Sequence, residues 1–144
     1  MDRYRYGIRR IVAPAVEPVS LEAARRNCGI EGTSHHDAML GELLTEAREY
    51  CEEQTAASLI TTTWEMTFDR FPRSDRFYLP RWPLKSIEAL TYIDAAGATQ
   101  ALDLNTISAR VDHAGQGRIV RKSYASWPET QTTPDSVKIT FKAG

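Results

Sequence analysis

Ala47-Arg48-Glu49-Tyr50-Cys51-Glu52-Glu53-Gln54-Thr55-Ala56-Ala57-Ser58-Leu59-Ile60-Thr61-Thr62-Thr63-Trp64-Glu65-Met66-Thr67-Phe68 is the stretch in which the chain changes its hydrophobic period. Up to Thr55 the apolar residues Leu40, Leu43, Leu44, Ala47 and Cys51 recur at three-and-four spacing. Glu42, Glu46, Arg48, Glu49, Glu52 and Glu53 fill the rest of the surface. That is the pattern of an amphipathic helix with a solvated charged face. From Leu59 the period is two: Ile60, Thr62, Trp64, Met66 and Phe68 alternate with Thr61, Thr63, Glu65 and Thr67, as in a long half-buried strand. Two periods meeting near residues 55–58 predict an α+β chain. A helical hairpin over residues 20–57 packs with a mostly antiparallel β-rich part over 58–144 in one compact unit.

Upstream of the hairpin, Pro14 and Pro18 forbid a continuous helix, and residues 1–19 read as an extended arm rather than a core element. Its Arg3, Tyr4, Arg5 and Tyr6 carry large side chains with polar ends, suited to an interface; a flexible terminus is the alternative. Ser20 is placed to cap a short helix through Asn27, with Glu22 favourable to the helix dipole and Gly29 as the stop. Leu21, Ala24 and Cys28 share one face of it. Ser34, followed three residues later by Asp37, predicts a short capping box opening the second helix.

Downstream, Phe71 to Asp75 makes a turn and Phe77-Tyr78-Leu79 a short strand. Pro80-Arg81-Trp82-Pro83 is an irregular corner, because neither proline can donate to a ladder. Ser86 to Asp94 and Thr99 to Leu102 flank a hairpin loop in which Gly97 supplies positive φ. Further strands are expected at Ile107 to Val111, Gly117 to Val120 and Ser136 to Phe141. Trp64 lies on the alternating core face. Trp82 and Trp127 lie in irregular segments, where an aromatic either seals the edge of the β layer or anchors an interface.

Composition narrows the functions. With 42% hydrophobic and 26% charged residues in 144, the chain has globular composition and the length of one domain. A formal net charge of −1 gives no bulk attraction for nucleic acid. No apolar run approaches the roughly 18 to 20 residues that cross a bilayer, and the N-terminus lacks the apolar segment of a signal peptide. Cys28 and Cys51 lack metal or redox spacing and read as buried free thiols, in keeping with folding in a reducing cytosol.

Candidate chemistry is sparse. His35-His36-Asp37 is the one cluster of potential metal ligands, but adjacent residues at a helix start diverge, and polar capping explains the segment. No nucleophile signature accompanies any Ser or Cys. Gly115-Gln116-Gly117-Arg118 sits between strands without a following helix N-terminus and reads as a β-turn rather than a phosphate cradle. Arg118, Arg121 and Lys122, near Tyr124 and Trp127, have the basic-aromatic pattern of a single-strand binder, although a charged strand edge is the simpler reading. These residues predict no enzyme, no cofactor and no metal.

One set of segments is informative in its order. Glu17-Pro18-Val19-Ser20-Leu21-Glu22-Ala23-Ala24 enters the first helix, and Ala47-Arg48-Glu49-Tyr50 with Thr55 closes the second. Leu59-Ile60 and Thr63-Trp64-Glu65 follow, then Leu79-Pro80-Arg81-Trp82-Pro83-Leu84, Ser86-Ile87, Gly117-Arg118-Ile119-Val120 and Ser126-Trp127-Pro128. Over Val16 to about Phe141 the chain resembles the head–tail connector proteins of tailed phages, the HK97-type adaptor-like family, in its subgroup with a β-rich insertion. The resemblance implies a virion protein at the head–tail junction, assembled in the host cytoplasm. It would form a homo-oligomeric ring of about a dozen copies under the portal protein and meet the next connector or tail protein. DNA would pass through the ring without sequence-specific binding, and no membrane would be involved. Members of this group usually continue with further helices after the last strand, so the apolar face of the helix at Leu40 to Cys51 is expected to seek a partner. A stand-alone β-rich binding module, with Trp82, Trp127 and Arg118 facing a ligand, is the alternative.

Overall fold

The computed structural model describes residues 5–122 and 125–144. Strand β2 (Thr62–Phe68) is an interior strand of the larger of two antiparallel sheets, which also contains β1 (Gly7–Val12), β4 (Leu84–Ile93), β5 (Thr99–Ala101) and the central β8 (Val137–Ala143). Its order is β1-β2-β8-β4-β5. The smaller sheet is β3-β7-β6, from β3 (Arg76–Tyr78), β6 (Ile107–Val111) and β7 (Gly117–Arg121). Helices α1 (Leu21–Cys28) and α2 (Asp37–Thr55) lie between β1 and β2 in the chain.

The period-two reading of β2 holds residue by residue. Thr62, Trp64, Met66 and Phe68 are buried, and the last three stand opposite Phe141, Ile139 and Val137 of β8. Phe77 and Ile119, directly paired between β3 and β7, close over this face, and the rings of Phe68 and Phe77 meet edge to face at 5.3 Å. One cluster therefore joins the inner faces of both sheets, with Leu79, Leu84, Leu90 and Ile107. Turn chemistry is as the residues dictate. The Asp94 carboxylate accepts from the Ala96 and Ala98 amides around Gly97, and Asp112 accepts from Ala114 and Gln116 around Gly115. Gly115-Gln116-Gly117-Arg118 is thus a hairpin turn running into β7.

Four expectations are corrected. Residues 7–12, expected within an extended arm, form an edge strand. Ile8 and Arg10 stand opposite Met66 and Trp64, and Ile8 packs on the core. A strand this short, with two adjacent arginines, Arg9 and Arg10, one on each face, gives a weak period-two signal. The capping box at Ser34 does not form: the N-cap of α2 is His36, without a side-chain cap, because the Asp37 carboxylate pairs with Arg25 of α1. By contrast α1 begins at Ser20, whose Oγ accepts from the Ala23 amide, and stops at Gly29 in the left-handed conformation, φ 68°. Cys28 and Cys51 are exposed, not buried. Lastly, α2 turns a different face inward from the one its apolar residues mark. Leu40 is buried, but Leu43, Ala47 and Cys51 are exposed, while Arg48 and Glu52 are buried at 5% and 1% exposure.

Candidate assembly surfaces

Ionic contacts dominate the seating of α2. Glu52 Oε2 accepts from Arg10 of β1 at 2.7 Å and from Arg48 at 3.1 Å, and its Oε1 accepts from the Leu59 amide at 2.8 Å. Arg48 reaches on to Glu17, with Nε to Oε2 at 2.7 Å and Nη2 to Oε1 at 3.2 Å, and Thr45 Oγ1 adds a bond to the same carboxylate. The guanidinium of Arg48 holds the Glu17 carboxyl below its ordinary range, and Thr45 pulls in the same direction. Arg10 carries a further pair to Glu49. The result is a chain of alternating charge, Glu17, Arg48, Glu52, Arg10 and Glu49, running from the segment before α1, through α2, to β1.

Trp64 is the apolar plate of this joint. The Arg10 and Arg81 guanidiniums lie over its ring, 5.1 and 4.5 Å from the centroid, and its Nε1 donates to Ser58 Oγ at 2.9 Å. Arg81 Nη1 also donates to the Glu52 carbonyl at 2.7 Å, and Trp82 Nε1 to the Thr55 carbonyl at 3.2 Å. The corner containing the cis Trp82–Pro83 peptide thereby satisfies free carbonyls at the C-terminus of α2. Among the described residues, Arg10 Nε is the one buried side-chain nitrogen or oxygen without a hydrogen-bond partner.

Turning Arg48 and Glu52 inward leaves Met39, Leu43 and Tyr50 outward at 51%, 50% and 66% exposure. Val16, Val19 and Leu21, just before and at the start of α1, are exposed too. The exposed apolar side chains of α2 are thus Met39, Leu43 and Tyr50 rather than the whole row of Leu40 to Cys51. A second surface lies on the outer face of the small sheet, where Tyr78, Arg118 and Arg110 are neighbours across β3, β7 and β6.

The remaining residues singled out from sequence are placed as follows. Trp127 stacks on Phe71 at 4.8 Å with the rings 5° from parallel, and its Nε1 donates to the Ser74 carbonyl. It seals the rim of the core, as Trp82 closes the end of α2; both remain partly exposed. Among the described residues Trp82 meets Thr55 and Ala57, whereas Trp127 meets Phe71, Phe77 and Ser74, and neither set includes Arg118. Arg5 and Tyr6 precede β1 and are exposed, whereas Arg3, Tyr4 and Tyr124 lie outside the described residues. Asp37 of the His35-His36-Asp37 cluster is committed to Arg25. Among the described residues no group of three or more His, Cys, Asp or Glu could hold a metal, and no helix is long and apolar enough to cross a membrane. Sequence reading missed the Arg48–Glu52 joint; its one local signal was an Arg–Glu pair four apart, common on solvated helices.

Solved structures with this arrangement exist. A chain in the neck of an empty gene transfer agent particle, computed with C6 symmetry, superposes with a TM-score of 0.77 at 23% identity, over 96% of this chain and 71% of that one. This is the fold of a particle-neck chain. A chain in the virion of the native gene transfer agent particle gives 0.70 at 25% identity, over 95% and 71%. One in the native neck computed with C12 symmetry gives 0.66 at 22%, over 96% and 69%. No protein-family model and no curated protein matches the sequence. The likeness spans nearly all of this chain and about seven-tenths of each neighbour, in line with the resemblance to phage head–tail connectors read from the segments above.

Proposed function

We propose that this protein is a structural component of the neck of a phage-like particle: a head–tail connector that forms a homo-oligomeric ring under the portal protein, extends the DNA channel and joins capsid to tail. The observation that carries this reading is the whole-chain likeness to a neck chain, at a TM-score of 0.77 over 96% of the sequence. The symmetry of the neighbouring assemblies, C6 and C12, supports a ring, with about twelve copies as the expected number. The large exposed apolar residues on the helical part support a protein that works by contact with others. A near-neutral chain whose α2 surface is acidic supports passage of DNA rather than its capture, since phosphate binding scales with the cations presented. The role is architectural rather than catalytic, without a cofactor. The finished protein resides in the virion, after assembly in the host cytoplasm.

Immunogold labelling of this chain on particles from a lysate of the source cells tests the reading. Label at one vertex or at the capsid–tail junction is the expected result. Intact, unlabelled particles in a lysate where the chain is abundant and free would overturn it.

A further inference from the structure

Charge is divided unevenly along the chain. Residues 20–57 carry eight acidic and three basic side chains, whereas the remainder carries eleven acidic and fifteen basic ones. Two surfaces express this division, and each is electrostatically unfavourable on its own.

On α2, Glu42, Glu46, Glu49 and Glu53 follow at four, three and four residues, which places four carboxylates in one row beside the exposed Met39, Leu43 and Tyr50. Like charges at this spacing repel. Glu49 is answered by Arg10 and Arg48; Glu42, Glu46 and Glu53 have no ion pair among the described residues. On the small sheet, Arg110 stands directly opposite Arg118, and Arg118 directly opposite Tyr78, so the three side chains form one row on the outer face. Like charges opposite one another across strands repel as well. Neither guanidinium has an ion pair or a side-chain hydrogen bond among the described residues. Val120, on the same face, adds apolar area.

We propose that the outer face of the small sheet, through Tyr78, Arg110 and Arg118, is the docking surface for the acidic, apolar-edged face of α2 on a second copy of this chain. Each surface supplies what the other lacks: a row of four carboxylates, three of them without an ion pair among the described residues, beside aliphatic and aromatic side chains, and a pair of unanswered guanidiniums beside a tyrosine. Docking removes two like-charge repulsions at once. Because the two patches differ, the contact is heterologous, and repeated head to tail it closes a ring where the rotation closes. This deepens the neck reading by naming a subunit interface, and rests on that reading for its ring. A nucleic-acid phosphate is the other ligand for such arginines. Two of them in one short row give little counterion release, however, and leave the apolar flanks without a counterpart.

The test uses the full chain and charge reversal, read by sedimentation velocity over a concentration series. The wild type associates in low salt and dissociates as screening rises. Arg110→Glu with Arg118→Glu weakens association at least tenfold, and so does Glu46→Lys with Glu53→Lys. The chain carrying all four changes associates again, as does an equimolar mixture of the two double variants. Circular dichroism verifies each fold, with the matching Gln variants standing in for any that misfold. A monomeric wild type, unchanged association in either double variant, or no recovery in the quadruple variant overturns the proposal. So does a wild type that binds duplex DNA through the two arginines, by fluorescence anisotropy, while self-association ignores them. Labelled particles without charge-swap recovery would leave the neck reading standing and remove this interface; recovery with unlabelled particles would do the reverse.

Discussion

Replacing Glu52 by Ala tests whether α2 is held to the sheet by charge rather than by apolar burial. Glu52 is 1% exposed, and its carboxylate accepts three hydrogen bonds: from Arg10, Arg48 and the Leu59 amide. Removing one partner of a buried ion pair typically costs about 3–5 kcal/mol, because the charge left behind is uncompensated. Here each arginine keeps a second carboxylate, Glu49 for Arg10 and Glu17 for Arg48, and the Arg10 side chain is 22% exposed, so hydration moderates the loss. The low end, about 3 kcal/mol, is expected. For a chain of this length that lowers Tm by roughly 6–12 °C. Glu52→Gln, which keeps an acceptor for the Leu59 amide and loses the charge, falls between Ala and wild type. Leu43→Ala, on the same helix at 50% exposure, costs less than about 1 kcal/mol. Equilibrium urea unfolding of the four proteins, with coincident fluorescence and circular dichroism transitions, gives the comparison. If Leu43→Ala destabilises as much as Glu52→Ala, the hydrophobic stripe of α2 is what docks, and the inward-facing ionic joint is wrong.

Glu17 makes the joint sensitive to acid. Arg48 holds the folded-state pKa of Glu17 below its unfolded value, so the stabilisation is fully present above the unfolded value and is lost as pH falls through the folded one. Urea midpoints between pH 7 and strong acid should drop less steeply for Glu17→Gln than for wild type; parallel curves would show that Glu17 contributes nothing to the acid limb. Gly117→Ala should destabilise by about 1–3 kcal/mol, since a Cβ there would stand 2.6 Å from Leu84 Cδ2 and 3.1 Å from Leu79 Cδ1 in the core. An unchanged thermal midpoint would show that the two leucines yield freely. Cys28 and Cys51, both exposed, should react completely with a thiol reagent in native buffer. Protection of either until unfolding would contradict the outward placement of these two helical faces.

Much of the fold was legible. The strands at Thr62–Phe68, Leu84–Ile93, Ile107–Val111 and Val137–Ala143 lie within three residues of their sequence expectation. Their β-branched and aromatic residues alternate and their ends carry Gly, Pro or Asp, so local chemistry suffices. Strand β1 was not legible, because Arg9 and Arg10 lend it little apolar contrast and its only core residue is Ile8. The order of strands was beyond sequence reading too: β8, last in the chain, lies between β2 and β4. The candidate assembly surfaces were half legible. Excess apolar area on α2 was expected, but on which residues, and beside which carboxylates, depended on how the helix is rolled. Arg118 stood out early; its pairing with Arg110 appears only when β6 and β7 are in register.

By itself the sequence determined the α+β class, the boundary near residues 55–58, the Ser20 and Gly29 ends of α1, and the aspartate-stabilised hairpin loops. These rest on period and on hydrogen bonds between residues no more than a few positions apart. The tertiary structure alone decided which face of α2 goes inward. Apolar spacing pointed to Leu43, Ala47 and Cys51, yet Arg48 and Glu52 are buried because Glu17, Arg10 and Arg81 reach them from 31, 42 and 29 residues away. A charge can be buried only where opposite charge and hydrogen bonds meet it, and no local window of sequence contains those partners.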